Sequence, residues 1–260
     1  MIDARTKVDM IFKYRKIKLS IPSYSFFIPY ATFFSGEYDF LNPKKEDVVI
    51  DAGANIGDFT VKIAGKVSKV IAIEPSRENL SYLRLNAGNT QNVTIIQKAI
   101  GNERGIIGFT GQGVSAAVKE NANNRVEIDT LDRICEDLKI APTLLKMDIE
   151  GYEGDALRGM ERSMDTVRKM VIEVHDDRNK KDCEDILIVH GFKIRYQNKI
   201  DIVKRTSRNI AFHPLSFIEY DRLNEFYASR VILKFPFTGK SCIPSCGETQ
   251  GMHLLEAWRS

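Results

Sequence analysis

Three short stretches hold residue types that do chemistry, and each follows an apolar run. The first is Asp51-Ala52-Gly53-Ala54-Asn55-Ile56-Gly57, after Val48-Val49-Ile50. Small residues at a strand-to-helix turn let backbone N–H groups approach a polar or anionic ligand, and the following helix presents its positive end there. A dinucleotide-binding turn reads G-x-G-x-x-G, with the second glycine admitting a pyrophosphate. Asn55 occupies that second place and no third glycine follows at the required position, so a pyrophosphate cofactor is disfavoured. Asp51 can meet the ammonium group of an amino-acid-like ligand. Glu74 ends the next apolar run 23 residues later, where an acid accepts hydrogen bonds from ribose hydroxyls. Ammonium and ribose without pyrophosphate describe S-adenosylmethionine. A tight turn with two solvated carboxylates is the bland alternative.

The second stretch is Lys146-Met147-Asp148-Ile149-Glu150-Gly151 and the third is Glu173-Val174-His175-Asp176. Strand alternation puts Lys146, Asp148 and Glu150 on one side and Met147 and Ile149 on the other. In an open α/β sheet, ligands sit beyond the carboxyl ends of the strands near the order reversal. The three stretches therefore converge on one crevice. His175 is the first candidate for a base, Glu150 the second, and Asp148 an orienting partner, with Lys146 and Glu173 beside them. An ion pair between Lys146 and a carboxylate, with the remainder solvated, is the structural alternative. A divalent metal on Asp148 and Glu150 is the lesser alternative. The residues supply no third ligand, so no metal is assigned.

The elements that position these residues alternate from residue 47 onward. Val48–Asp51, Val70–Glu74, Val93–Gln97, Leu144–Ile149, Met170–Val174 and Phe192–Tyr196 read as strands. Helices are expected over 58–65, from Ser76 as N-cap to Gly88, over 153–164, and over 182–190 with Gly191 closing the last. That order implies an α/β fold: a doubly wound, mostly parallel, seven-stranded Rossmann-like sheet with an edge hairpin. The hairpin is expected from Asp201–Lys204 and Asn209–His213. The stretch 104–128, with Gly111, Gly113 and Ser115 between two β-like pieces, reads as a loop or hairpin over one sheet edge. The domain is expected at 47–215, preceded by an arm and lead-in over 1–46 and followed by an extension of unknown role over 216–260.

Composition bounds the rest. With 260 residues, 43% hydrophobic and 28% charged, the chain can bury a full core. Its apolar runs are strand-sized, so no transmembrane segment is expected. The N-terminus shows no secretory pattern, which leaves the cytoplasm as the expected location. A net charge of +3 does not imply a polyanionic partner, although residues 1–20 hold six Lys or Arg against two Asp. A solvated terminal arm is the favoured reading of that segment, and nucleic acid is not a favoured partner. Cys135 and Cys183 lie on helix faces as small core residues, and Cys242 and Cys246 lack a second pair at zinc spacing. His190, His213 and His253 are read as structural or surface residues.

The chain resembles the FkbM family of methyltransferases. The likeness runs from Ser35-Gly36-Glu37-Tyr38 through the D-x-G-A-N-x-G turn, Ile73-Glu74-Pro75 and Ile128-Asp129-Thr130-Leu131-Asp132. It continues through Lys146-Met147-Asp148-Ile149-Glu150-Gly151-Tyr152-Glu153 to Glu173-Val174-His175 and Gly191-Phe192. The K-x-D-x-E-G-x-E block is its specific part. The resemblance implies methyl transfer from S-adenosylmethionine to oxygen, on a hydroxyl of a small molecule or sugar. It further implies a cofactor held by Asp51, Gly53, Asn55, Gly57 and Glu74, with Ala99 near the adenine and Glu37 closing the site. An RNA methyltransferase, a non-catalytic S-adenosylmethionine-binding protein and a nicotinamide dehydrogenase are the competing readings. The acceptor and the oligomeric state are not legible.

Overall fold

The computed structural model describes residues 10–22, 25, 27–110, 117–118, 124–212 and 253–259. It begins with a hairpin of β1 (Met10–Tyr14) and β2 (Ile17–Ile21). Alternate residues Phe12, Leu19 and Ile21 are fully buried and belong to one apolar cluster with Phe33, Phe34, Ile56 and Tyr82. The described part of the basic arm is therefore packed on the fold through one apolar face, and its lysines lie on the other side. Residues 1–9 lie outside the described residues. A short helix α1 (Ile28–Tyr30) runs into a π-helical turn over Ala31–Ser35, and Gly36 ends it in the left-handed conformation.

The alternating region then forms β3 (Val48–Ala52), α2 (Asp58–Ala64), β4 (Lys69–Ile73), α3 (Arg77–Ala87) and β5 (Val93–Ile96). Ser76 caps α3 by accepting from the Asn79 amide, as its type predicts. Next come β6 (Ala99–Ile100), β7 (Gly105–Thr110), β8 (Ala117–Val118), β9 (Asn124–Asp129) and α4 (Leu131–Leu138). β6 to β9 make a separate four-stranded sheet in which β7 and β9 are antiparallel. The polar stretch between those two strands falls mostly at 111–116 and 119–123, outside the described residues.

The remaining elements are β10 (Leu144–Met147), α5 (Glu153–Arg158), β11 (Lys169–Val174), α6 (Asp177–Val189), β12 (Lys193–Tyr196), α7 (Lys199–Phe212) and β13 (His253–Trp258). The main sheet has seven strands in the order β12-β13-β11-β10-β3-β4-β5, with β13 antiparallel to both neighbours. Both faces are covered, which is why the central strands read as unbroken apolar runs. Ile50, Ile71, Leu145 and Met170 pack with Leu131, Leu157, Met160 and Leu187 on one face. Val49, Val70, Leu144 and Val171 pack with Tyr38, Phe59 and Ile63 on the other. Cys135 and Cys183 are buried free thiols.

Two expectations fail at the sheet edge. The stretch 201–212 is the helix α7, not a closing hairpin; Asn209 Nδ2 donates to the Phe34 carbonyl at 2.9 Å, pinning the helix to the π-helical turn. The seventh strand comes instead from the far end of the chain. β13 lies between β11 and β12, so the sheet extends past the boundary expected at 215. Its central Glu256 is fully buried and paired with Arg195, and Arg205 Nη1 lies 3.9 Å away. That acidic residue breaks the apolar run and hides the strand from periodicity. His213, Cys242 and Cys246 lie outside the described residues.

Candidate active site

At the carboxyl end of β3 the chain turns sharply. Gly53 and Gly57 have φ of +73° and +86°, and Asn55, a type that tolerates this region, has +49°. A Cβ on Gly53 would lie 1.8 Å from the Asp148 carbonyl oxygen, and one on Gly57 would lie 2.7 Å from Leu83 Cδ1. The glycines are thus required by close packing of the turn against the segment after β10 and against α3. Amides 53 and 54 donate to the Ile73 carbonyl at 3.0 and 2.9 Å, locking the turn onto the end of β4.

Glu74 is buried beneath this turn. It accepts from the Asn55 amide and the Ser76 amide, each at 2.8 Å, and from Asn79 Nδ2 at 3.4 Å. Burial, only partly offset by those donors, pushes its pKa up to about 7. A carboxylate offers about four lone-pair positions, so Glu74 retains accepting capacity.

Asp51 is fully buried. Its Oδ2 accepts from Thr60 Oγ1 at 2.5 Å, while Oδ1 lies 3.3 Å from Lys146 Nζ and makes no hydrogen bond among the described residues. Lys146 also donates to the Gly53 carbonyl at 2.6 Å and sits 5.5 Å from the centre of the Tyr38 ring. Burial alone would discharge this lysine, but Asp51, Asp148 and Asp58 outweigh it and raise its pKa. Lys146 is therefore held charged as the counter-ion of the buried Asp51.

On the opposite wall, β10 ends at Met147 and the chain turns through Glu150 and Gly151, with φ of +56° and +100°. Glu150 is a non-glycine residue in the left-handed region, a conformation that needs external support. Glu153, at the start of α5 and fully buried, provides it. Its Oε1 accepts from the amides of residues 149 and 151 at 3.4 and 3.0 Å. The same oxygen lies 3.0 Å from His175 Nδ1, and Asn179 donates to its other oxygen.

His175 Nε2 faces Asp148 at 3.5 Å and Glu150 at 3.4 Å. Burial pulls the imidazole toward its neutral form. Glu153 at Nδ1 and the charges of Asp148 and Glu150 overcome this and push the pKa up to about 10. Burial and the Asp148 charge raise the pKa of Glu150 to about 7. Glu173 is raised well above the carboxylate range by burial, then by Asp148 and Glu37. Glu37, 7% exposed, is pushed up to about 7 by burial and by Asp148 and Asp58.

The structure thus brings Glu37, Asp51, Gly53, Asn55, Gly57, Glu74, Lys146, Asp148, Glu150, Glu173 and His175 to one end of the sheet. Ala99 lies in β6, just beyond the carboxyl end of β5. Sequence reasoning missed four residues that shape the site. Thr60 and Asp58 belong to α2, Tyr38 covers Lys146, and Glu153 holds His175. Glu153 was within reach, since it closes the K-x-D-x-E-G-x-E block.

Residues 51–200 match the family described as Methyltransferase FkbM domain. Over 150 residues the chain is 26% identical to the hexuronic acid methyltransferase AglP of Haloferax volcanii, a match covering 55% of this chain and 62% of that protein. Over 185 residues it is 27% identical to methyltransferase 1 of Beauveria bassiana, covering 58% of this chain and 74% of that one. A crystal structure of methyltransferase FkbM from Methylobacillus flagellatus aligns with a TM-score of 0.49 at 25% identity, over 65% of this chain and 44% of the other. The match thus spans less than two thirds of the Haloferax relative and less than half of the solved Methylobacillus chain. The family match starts on Asp51 and runs through the glycine turn, the Lys146–Glu153 block and His175, and on that ground the chain belongs to the Methyltransferase FkbM domain family.

Proposed function

We propose that this chain transfers a methyl group from S-adenosylmethionine to a hydroxyl oxygen of a sugar or other small molecule. The observation that carries this reading is one crevice in which a glycine turn meets carboxylates that outnumber the cations. Among the described residues, Glu37, Asp51, Asp58, Asp148, Glu150 and Glu173 outnumber Lys146, His175, Lys62 and Arg205, the cations that act on them. A site so rich in carboxylates, several of them held partly protonated by one another, favours a cationic ligand and opposes a phosphate. S-Adenosylmethionine fits that donor set, since it has an ammonium group, a sulfonium and a ribose but no phosphate. Asp51, whose Oδ1 is buried without a hydrogen bond, suits the ammonium. Glu74, which retains accepting capacity, suits the ribose.

When bound, S-adenosylmethionine supplies an electrophilic methyl on sulfur, and transfer leaves a neutral thioether. The chain has to hold the acceptor oxygen in line and take its proton. Glu150 is the base we propose. It lies at the rim with its side chain 34% exposed, on a backbone fixed by Glu153. His175, ranked first from the sequence, has carboxylates at both ring nitrogens, which keeps both protonated and leaves no lone pair for the acceptor proton. In this reading His175 orients Asp148 and Glu150, and the acceptor proton passes to a Glu150 oxygen as the oxygen–methyl bond forms. The segment Asp148-Ile149-Glu150-Gly151 has no D-P-P-Y or N-P-P-Y arrangement for an acceptor nitrogen. The Haloferax relative is a hexuronic acid methyltransferase by name, which supports a sugar as the acceptor class.

The test is a labelled-methyl transfer assay with a panel of free sugars, uronic acids and glycosides, followed by mass spectrometry. The expected product is a methylated sugar with one S-adenosylhomocysteine formed per transfer. Cofactor binding without transfer to any acceptor would instead favour a binding protein. Salt-sensitive labelling of RNA would move the acceptor class to nucleic acid.

A further inference from the structure

We infer that Asp148, Glu173 and His175 form a binding site for one divalent first-row transition-metal cation on the acceptor side of the crevice. One ligand atom from each of the three lies within 4.8 Å of the others. Metal bonds of roughly 2.1 Å place two ligand atoms at most about 4.2 Å apart, so small side-chain rotations close the set. Proximity of acids would not suffice alone. Glu173 adds an independent observation: it is only 9% exposed and lies among Asp148 and Glu37, whose charges oppose its ionisation more than those of His175 and Lys146 support it. Burying a carboxylate beside like charges is costly. A cation between the carboxylates would remove that cost.

The surroundings of His175 point the same way. Glu153 accepts at Nδ1 at 3.0 Å, itself fixed by the amides of residues 149 and 151 and by Asn179. A carboxylate behind one ring nitrogen, with the other turned toward a cluster of oxygens, is the arrangement that orients a metal-bound histidine, and the cation would take the place of the proton that the carboxylates otherwise hold on Nε2. Two carboxylates and an imidazole suit manganese or zinc better than magnesium, which prefers all-oxygen surroundings. Three protein ligands leave positions open for a hydroxyl oxygen, and Glu150 stays outside the ligand set at the rim. The site itself stands on this cluster alone. Its use in lowering the acceptor hydroxyl pKa rests on the methyl-transfer reading.

Manganese(II) titrated into the 260-residue chain, without methyl donor or acceptor, tests the site by loss of the free-ion electron paramagnetic resonance signal. The expected result is one bound ion per chain, displaced by zinc(II). Glu173→Gln and His175→Gln should each abolish saturable binding while circular dichroism shows the fold retained. Glu153→Gln should weaken binding by roughly 10–100-fold. Should one variant unfold, the other two still decide the matter. Binding that is absent in the intact chain, or unchanged in the folded variants, overturns the inference. Methyl transfer that persists without bound metal would refute the metal's role and leave the function intact. Metal binding with no transfer to any acceptor would do the reverse.

Discussion

Replacing Gly53 by Ala tests the joint between the two halves of the crevice. The new Cβ would lie 1.8 Å from the Asp148 carbonyl oxygen and 3.3 Å from Ile149 Cγ2. Ordinary contact starts near 3.4 Å, so the turn and the segment after β10 must separate by about 1.6 Å. An alanine held at φ of +73° adds about 1–2 kcal/mol of conformational cost. The hydrogen bond from the Asp148 amide to the Ala52 carbonyl, 3.1 Å long, bridges the same joint. Its loss contributes about 0.5–1.5 kcal/mol. Together these give about 1.5–3.5 kcal/mol, or a melting temperature lower by roughly 3–14 °C for a chain of this size. A displacement above about 1 Å between donor turn and acceptor cluster should lower turnover by at least about 10²-fold. Thermal melting and steady-state methyl transfer read the two effects. A Gly53→Ala chain that melts within about 2 °C of the parent and turns over at the parental rate would refute the joint.

Lys146→Met keeps the apolar stem but leaves fully buried Asp51 without its cation, so chemical denaturation should show a loss of about 3–5 kcal/mol. Glu74 gives a pH signature. Its pKa rises from 4.5 to about 7 on folding, so the folded chain binds this proton more tightly than the unfolded one. Its share of stability is therefore present below about pH 4.5 and lost as pH rises through about 7, by about 3 kcal/mol in all. Denaturation at about pH 5 and about pH 8 should show a smaller fall for Glu74→Gln than for the parent. The same variant should weaken S-adenosylhomocysteine binding, read by calorimetry. Glu150→Gln should lower turnover by about 10²–10⁴-fold with cofactor affinity unchanged; unaltered turnover would remove Glu150 as the base.

How much was legible depended on whether a residue's role is local. Val48–Ile50 and Met170–Val174 read as buried strands because both faces of the sheet are covered, and the Gly53 turn read as a ligand turn because its spacing is local. Ser76 announced its own helix start. Glu153 was visible as the last residue of the K-x-D-x-E-G-x-E block, but its role, like that of Glu256, depends on a partner distant in sequence. Glu153 becomes the support of His175 only once α5 folds back beside β11. Glu256 becomes a core residue only once Arg195 and Arg205 flank it. The stretch 201–212 misled for a related reason. Its Ile202-Val203 pair suits a strand, but β13 fills the position beside β12 and leaves the segment to pack as a helix on the turn at 31–35. The protonation of His175 likewise follows from three carboxylates that only the fold assembles.

The central claim is that the acidic crevice passes a methyl group to a hydroxyl oxygen. Incubating the chain with S-adenosylmethionine labelled at the methyl carbon and a uronic-acid-containing glycoside, then reading the carbon resonance of the transferred methyl, tests it most directly. The account predicts a new methyl ether signal that is lost in Glu150→Gln. A label that appears on nitrogen, or a donor that is bound without any label leaving it across the acceptor panel, would contradict it.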